Sequence, residues 1–240
     1  MFSLALETSG RIGSVAIAKD GEVIAERSYP HGLQHASALV PLIDQLCQEH
    51  ALTPADLEEI YVSIGPGSFT GLRVGVTLAK SLAFATGARL VAVPSVHVLA
   101  ENAPADAKCV AIVLDAKRGQ IFTATYERTA GSTWTEREPA RLDRLATVLE
   151  RATRPLHLLG DGIPFHRGSI PIDDQIIVTD ESTWHATARV VSKLGSAMAA
   201  RGDFANVFTI KPTYVRLPEA EEKRLIAEGR LNADGTKLAC

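Results

Sequence analysis

Residues 64–75 read IGPGSFTGLRVG, four glycines in a dozen positions, following the apolar run IYVSIG and leading into VGVTLAKSLAFATG. The pattern predicts a buried strand, a tight turn and a helix, with Ser68 as the helix N-cap and Gly87 as its stop. The glycines could serve a bound phosphate, a nucleophile, or the close approach of two backbones. A Walker A loop needs a lysine and a hydroxyl after its last glycine, but Gly71 is followed by Leu72 and Arg73. A nucleophile elbow places serine at the apex of Gly-x-Ser-x-Gly, and here the apex is Phe69. The unpaired N–H groups of a helix start still offer an anion site.

The helix itself points elsewhere. Gly71, Gly75, Ala79 and Ala83 recur every fourth residue, a ridge without side-chain bulk that would let another helix come close. Val74, Leu78, Leu82 and Ala85 form a second apolar stripe beside it. The preceding segment LQHASALVPLIDQLCQEH predicts a helix despite Pro41, with Leu39, Ile43 and Leu46 on one stripe and Ala38, Leu42 and Gln45 next to it. Either the two helices cover only each other or their surplus apolar surface seats a partner. On the second reading the interface comprises Ala38, Leu39, Leu42, Ile43 and Leu46 from the first helix. Gly71, Arg73, Gly75, Leu78, Ala79, Leu82 and Ala83 come from the second.

Working outward, FSLALE, GSVAIA and VIAERSY read as three strands, the last two joined by an Asp-Gly hairpin turn, and TPADLEE as a short capped helix. After NAPADAK the order begins again. CVAIVLDAKRG, QIFTATYER and STWTEREPARL are strands, LDRLATVLERA a helix, LHLLGDG a strand with a glycine turn, and TWHATARVVSKLGSAMAARG a closing amphipathic helix. A duplicated βββαβα order predicts an α/β protein of two similar lobes, residues 1–104 and 105–218, facing a cleft, followed by a charged tail at 219–240. Glu7 and Asp115 fall at equivalent strand ends aimed at that cleft, and Asp161 sits between two glycines at another. Each is a candidate cofactor-binding residue, and each is equally readable as a solvated turn acid.

The bulk composition narrows the partners. The chain has 240 residues, 46% hydrophobic and 22% charged, with a formal net charge of −3, so no basic surplus announces a nucleic-acid groove. Cys47, Cys109 and Cys240 lack any Cys-x-x-Cys spacing, which fits a reducing cytoplasm and gives no thiolate metal site. MFSLALETSG has neither a basic start nor a long apolar core, so no leader and no membrane anchor are expected. His31 and His35 are four apart, as helical zinc ligands can be, but Pro30 and Gly32 flank a poor helix and no third ligand is evident. His97, His157, His166 and His185 are scattered, and no metal site is expected.

LALETS, GPGSFTGLRVGVTLAKSLA, LDAKRGQIF, LLGDG and the late KPTYVR occur in the order seen in the TsaB, or YeaZ, family, over nearly the whole chain up to Arg216. The resemblance implies an actin-like, Hsp70-like (ASKHA) two-lobe fold and a part in making N6-threonylcarbamoyladenosine at position 37 of tRNAs that read ANN codons. It further implies a noncatalytic dimerisation subunit. In that family the transferase chemistry belongs to the related TsaD, with which TsaB pairs, and the ATPase TsaE joins them. No cofactor is then required by this chain, ATP and magnesium acting at the level of the complex, tRNA being engaged indirectly and a homodimer using the same helices. The catalytic relative carries a His-x-x-x-His pair after the strand that corresponds to RLVAVP, where this chain reads SVHVLAE with only His97. Family members usually carry Asp where this chain has Glu7. The family's dimerisation surface corresponds to residues 37–47 and 71–84. The rival expectation is a stand-alone ATP-dependent phosphotransferase of the same fold, using Glu7 and Asp115 around magnesium.

Overall fold

The computed structural model describes residues 1–30, 35–128, 133–216 and 219–230, apart from the side chains at 30, 35–38, 219, 220 and 222. The first lobe opens with three antiparallel strands, β1 (Phe2–Glu7), β2 (Ile12–Lys19) and β3 (Glu22–Pro30). Asp20 and Gly21 both take positive φ, 51° and 85°, the primed turn that matches the twist of a two-residue hairpin. Helix α1 (His35–Glu49) follows with Pro41 inside it. Strands β4 (Leu57–Ser63) and β5 (Arg89–Val93) then extend the sheet in parallel, with α2 (Phe69–Thr86) crossing between them. The sheet order is β3-β2-β1-β4-β5. TPADLEE is a 3-10 turn over Pro54–Asp56 rather than a helix, closed by a Thr53–Asp56 capping box. Strand β4 starts at once because Leu57, Ile60 and Val62 are drawn into the core beneath α1 and α2.

Helix α3 (Ser95–Ala100) leads into the second lobe. It is built from β6 (Cys109–Ile112), the short β7 (Leu114–Asp115), β8 (Ile121–Arg128), β9 (Trp134–Asp143), α4 (Leu145–Arg151), β10 (Leu156–Leu159), α5 (Ile163–His166) and β11 (Ile176–Val178). With β7 set aside, the order β9-β8-β6-β10-β11 repeats that of the first sheet. The two lobes are thus α/β units with one duplicated strand order, as expected.

The chain departs from the two-block division at α6 (Ala188–Ala200). Expected to close the second lobe, α6 instead lies on the first sheet, on the face opposite α1 and α2. Ala188 and Val191 share a core with Ala5, Ala16, Tyr61 and Val91, and the Ala188 N–H donates to Ser14 Oγ at 2.7 Å. Small residues on both sides permit this: a Cβ at Gly195 would overlap the Tyr61 ring. The following segment stays with the first lobe, Ala205 bridging Leu90 and the Thr213 N–H donating to Ile64 O at 2.7 Å. A break at residue 104 therefore separates the two sheets but not the two packed bodies. The tail contains a described helix, α7 (Glu219–Ala227), while residues 231–240, including Cys240, lie outside the described residues.

Candidate functional site

Two places merit a functional reading, the cleft between the lobes and the outer face of α1 and α2. The cleft is a cavity of about 330 Å³, whose lining includes Ser9, Arg11, Ser68, Asp115, Lys117, Asp161 and Trp184. The turn after β1 and the glycine turn before α2 meet at its first-lobe wall. There the Ser68 N–H donates to Ser9 O at 2.7 Å, and a Cβ on Gly67 would overlap that same carbonyl. Glu7 does not face the cavity. It is fully buried, and Oε1 accepts the Ser9 N–H at 2.5 Å and the Ser9 hydroxyl at 2.6 Å. Among the described residues Oε2 has no hydrogen-bond partner. Burial pushes the Glu7 pKa up, against the lowering effect of the Ser9 hydrogen bonds.

Asp115 does line the cleft, held 2.8 Å from Lys117 Nζ and 3.4 Å from His166 Nε2. Desolvation raises its pKa, but the Lys117 side-chain and backbone hydrogen bonds and charge outweigh that and hold it below the usual range. Asp161 lies 3.7 Å from Arg11 Nε across the cleft, and the Arg11 guanidinium sits 4.8 Å from the Phe165 ring centre. Of the acids at strand ends, one is therefore withdrawn and protonation-prone, and the other two are matched by cations. Divalent metal and phosphate handling calls for carboxylates facing the ligand, so this donor set does not favour the phosphotransferase reading.

His31 lies outside the described residues, as does the side chain of His35. Among the described residues no three His, Cys, Asp or Glu side chains gather as ligands. His97 instead stacks on Tyr126 with ring centres 5.5 Å apart, and burial lowers its pKa.

The α2 ridge requires a correction. A Cβ on Gly71 would overlap the Thr8 carbonyl, and one on Gly75 the Thr8 side chain. Ala79 and Ala83 are buried in the first lobe's core together with Leu39, Ile43 and Leu46. The glycines answer a demand from this chain's own backbone: α2 must lie directly on the segment that leaves β1. These seven residues are buried, Leu39 at the floor of the groove between α1 and α2, and only Leu42, Arg73, Leu78 and Leu82 of the expected interface reach the surface, Ala38 falling among the side chains outside the description. What α1 and α2 do present is a groove of about 390 Å³ lined by Leu39, Val40, Arg73, Val74, Thr77, Leu78 and Ser81. Val40 is 53% exposed, and Phe84 further along α2 is 71% exposed.

Sequence reasoning missed Arg11, Phe165, Phe208 and Tyr214. Arg11 sits in a bend and Phe165 in the single turn of α5, neither with a spacing signal. KPTYVR marked Tyr214 as part of a motif, but only the folded chain brings its hydroxyl within 3.0 Å of Arg73 Nε.

Residues 30–165 match the family model described as TsaD: tRNA N6-adenosine threonylcarbamoyltransferase. The tRNA threonylcarbamoyladenosine biosynthesis protein TsaB of Bacillus subtilis is 31% identical over 93% of this chain and 97% of its own. The Escherichia coli protein of that name is 24% identical over 89% and 94%. YeaZ from Pseudomonas aeruginosa superposes with a TM-score of 0.74 at 24% identity, covering 89% of this chain and 99% of its own, which supports the fold. Among the described residues no helix is long and apolar enough to cross a membrane. With its duplicated lobes, its glycine turn seated on Thr8–Ser9 and this likeness over nearly its full length, the chain belongs to the TsaB family of tRNA threonylcarbamoyladenosine biosynthesis proteins.

Proposed function

We propose that the chain is a noncatalytic dimerisation subunit that pairs with a TsaD homologue through the outer face of α1 and α2. The observation that carries this reading is the apolar groove between those helices, with Val40 and Phe84 left in water beside it. Soluble proteins seldom leave such contiguous apolar surface without a partner. The cleft supports the noncatalytic half of the proposal, because Glu7 is withdrawn and Asp115 and Asp161 are each matched by a cation. In this reading the chain needs no cofactor of its own. TsaE and ATP with magnesium act on the assembled pair, tRNA is engaged through the assembly, and the work is done in the cytoplasm. The same face offers the isolated chain a homodimer.

Reconstitution of tRNA threonylcarbamoylation from the organism's components tests the role. Omitting this chain is expected to abolish product, and undiminished product without it would overturn the proposal. Leu78→Asp places a charge in the groove at a half-buried position, and is expected to abolish pairing with the TsaD homologue while the chain stays folded.

A further inference from the structure

Beyond α6 the chain does not return to the second lobe but runs as a strap, residues 204–216, antiparallel to α2. Lys80 on α2 donates to the carbonyls of Phe208 at 3.4 Å and Ile210 at 3.3 Å. Further along, Arg73 Nε donates to the Tyr214 hydroxyl at 3.0 Å, and the Thr213 N–H reaches Ile64 O. At 3.6 residues per turn, Phe69, Arg73, Lys80 and Phe84 fall on the strap side of α2. Val74 and Leu78 fall on the α1 side, and Thr77 and Ser81 lie exposed between them. Helix α2 is therefore framed on both flanks, by α1 and by the strap.

The strap's backbone is pinned, yet one of its aromatic side chains, that of Phe208, stays in water. Phe208 is 75% exposed and Phe84 is 71% exposed, their rings meeting edge to face at 6.0 Å. At the other end the Arg73 guanidinium lies 3.9 Å from the Phe69 ring centre, and Phe69 and Tyr214 are 5.0 Å apart. A fixed aromatic pair at one end and an arginine held between rings at the other are the side-chain types that anchor protein interfaces. Packing within the chain gives Phe208 little reason to be there.

We infer that the strap is the third element of the partner face, with Phe84–Phe208 and Phe69–Arg73–Tyr214 as its two end anchors. Its occupant is the same TsaD-type subunit that covers the α1/α2 groove. This rests on the reading above, and continuity selects the occupant: Arg73 lines the groove and also holds Tyr214, so a subunit seated in one touches the other. The partner is expected to offer apolar side chains to the phenylalanine pair and a carboxylate to Arg73.

The test measures the affinity of the full chain for its cognate TsaD homologue, alongside self-association and thermal melting. Phe84→Ala with Phe208→Ala is expected to weaken the heteropair about tenfold or more with melting unchanged, and Arg73→Gln to weaken it less. Ile172→Ser, at a fully exposed site on the second lobe, is expected to change nothing. If Leu78→Asp abolishes pairing while the double phenylalanine variant binds as wild type, the strap inference is overturned and the groove reading stands. If Leu78→Asp pairs normally, the groove reading itself fails. Loss of self-association alone in the phenylalanine variant would assign the strap to a second copy of this chain and overturn the inference.

Discussion

The two lobes share one strand order but diverge after their glycine turns. In the first, a Cβ on Gly67 would strike the Ser9 backbone; in the second, one on Gly162 would strike the backbone at Asp115. Both turns are thus pressed against the exit of the lobe's leading strand. In the first lobe an 18-residue helix follows, whereas the second continues with the four residues of α5. Among the described residues only the first lobe has a long helix after its glycine turn, and the strap lies along it. The sheets and the turns are alike in the two lobes, while the long helix with an outer face stands on one of them.

The largest effect should come from breaking the contact between α2 and the segment that leaves β1. Gly71→Ala drives a Cβ into the Thr8 carbonyl, and is expected to cost about 1–3 kcal/mol or more of overpacking against a helix-propensity gain of about 1 kcal/mol. Urea denaturation reads the difference. Gly75→Ala should cost less, because the Thr8 side chain it meets can turn aside. Gly162→Ala should behave like Gly67→Ala if the two turns are mechanically equivalent.

The acids at the equivalent strand ends should titrate with opposite signs. The folded-state pKa of Glu7 is raised above 4.5 by burial, so the folded chain holds that proton more tightly than the unfolded chain. Its contribution is most favourable below 4.5 and is lost as pH rises to the folded value. Glu7→Gln keeps an acceptor for Ser9, and should flatten this loss and match or exceed the wild type in denaturation midpoint at neutral pH. Asp115 is lowered from 3.8, so its contribution is present above that value and is lost as pH falls through the folded one. Asp115→Asn should remove that gain, and carboxyl NMR titration of the wild type should show the downward shift. The smallest effect belongs to Arg11→Ala. The Arg11–Asp161 pair is long and half exposed, and its loss should cost under about 1 kcal/mol, visible as faster hydrogen exchange around residues 160–166.

Much of the fold was legible in the residues. The Asp20-Gly21 turn, the Ser68 cap that accepts the Gly71 N–H and the Gly87 stop at φ 78° are local signals, each set by chemistry within a few positions. The alternation of apolar runs was enough to reveal the repeated strand order. The proposed interface was only half legible. Periodicity identified two apolar stripes on α2, and bareness suggested that the Gly71–Gly75 ridge was the one left for a partner. The ridge is bare because Thr8, more than sixty positions earlier, occupies that space.

The sequence by itself determined the turns, the caps, the repeated order of strands and the acids at strand ends, because these follow from backbone preferences and from the spacing of apolar side chains. Tertiary structure decided which stripe of α2 faces inward, that α6 crosses to the first sheet, and that a strap carrying Phe208 and Tyr214 lies along α2. Those outcomes depend on contacts between residues far apart in the chain. A helix carrying two apolar faces turns inward the one whose shape matches what it meets, and no local pattern records what it will meet.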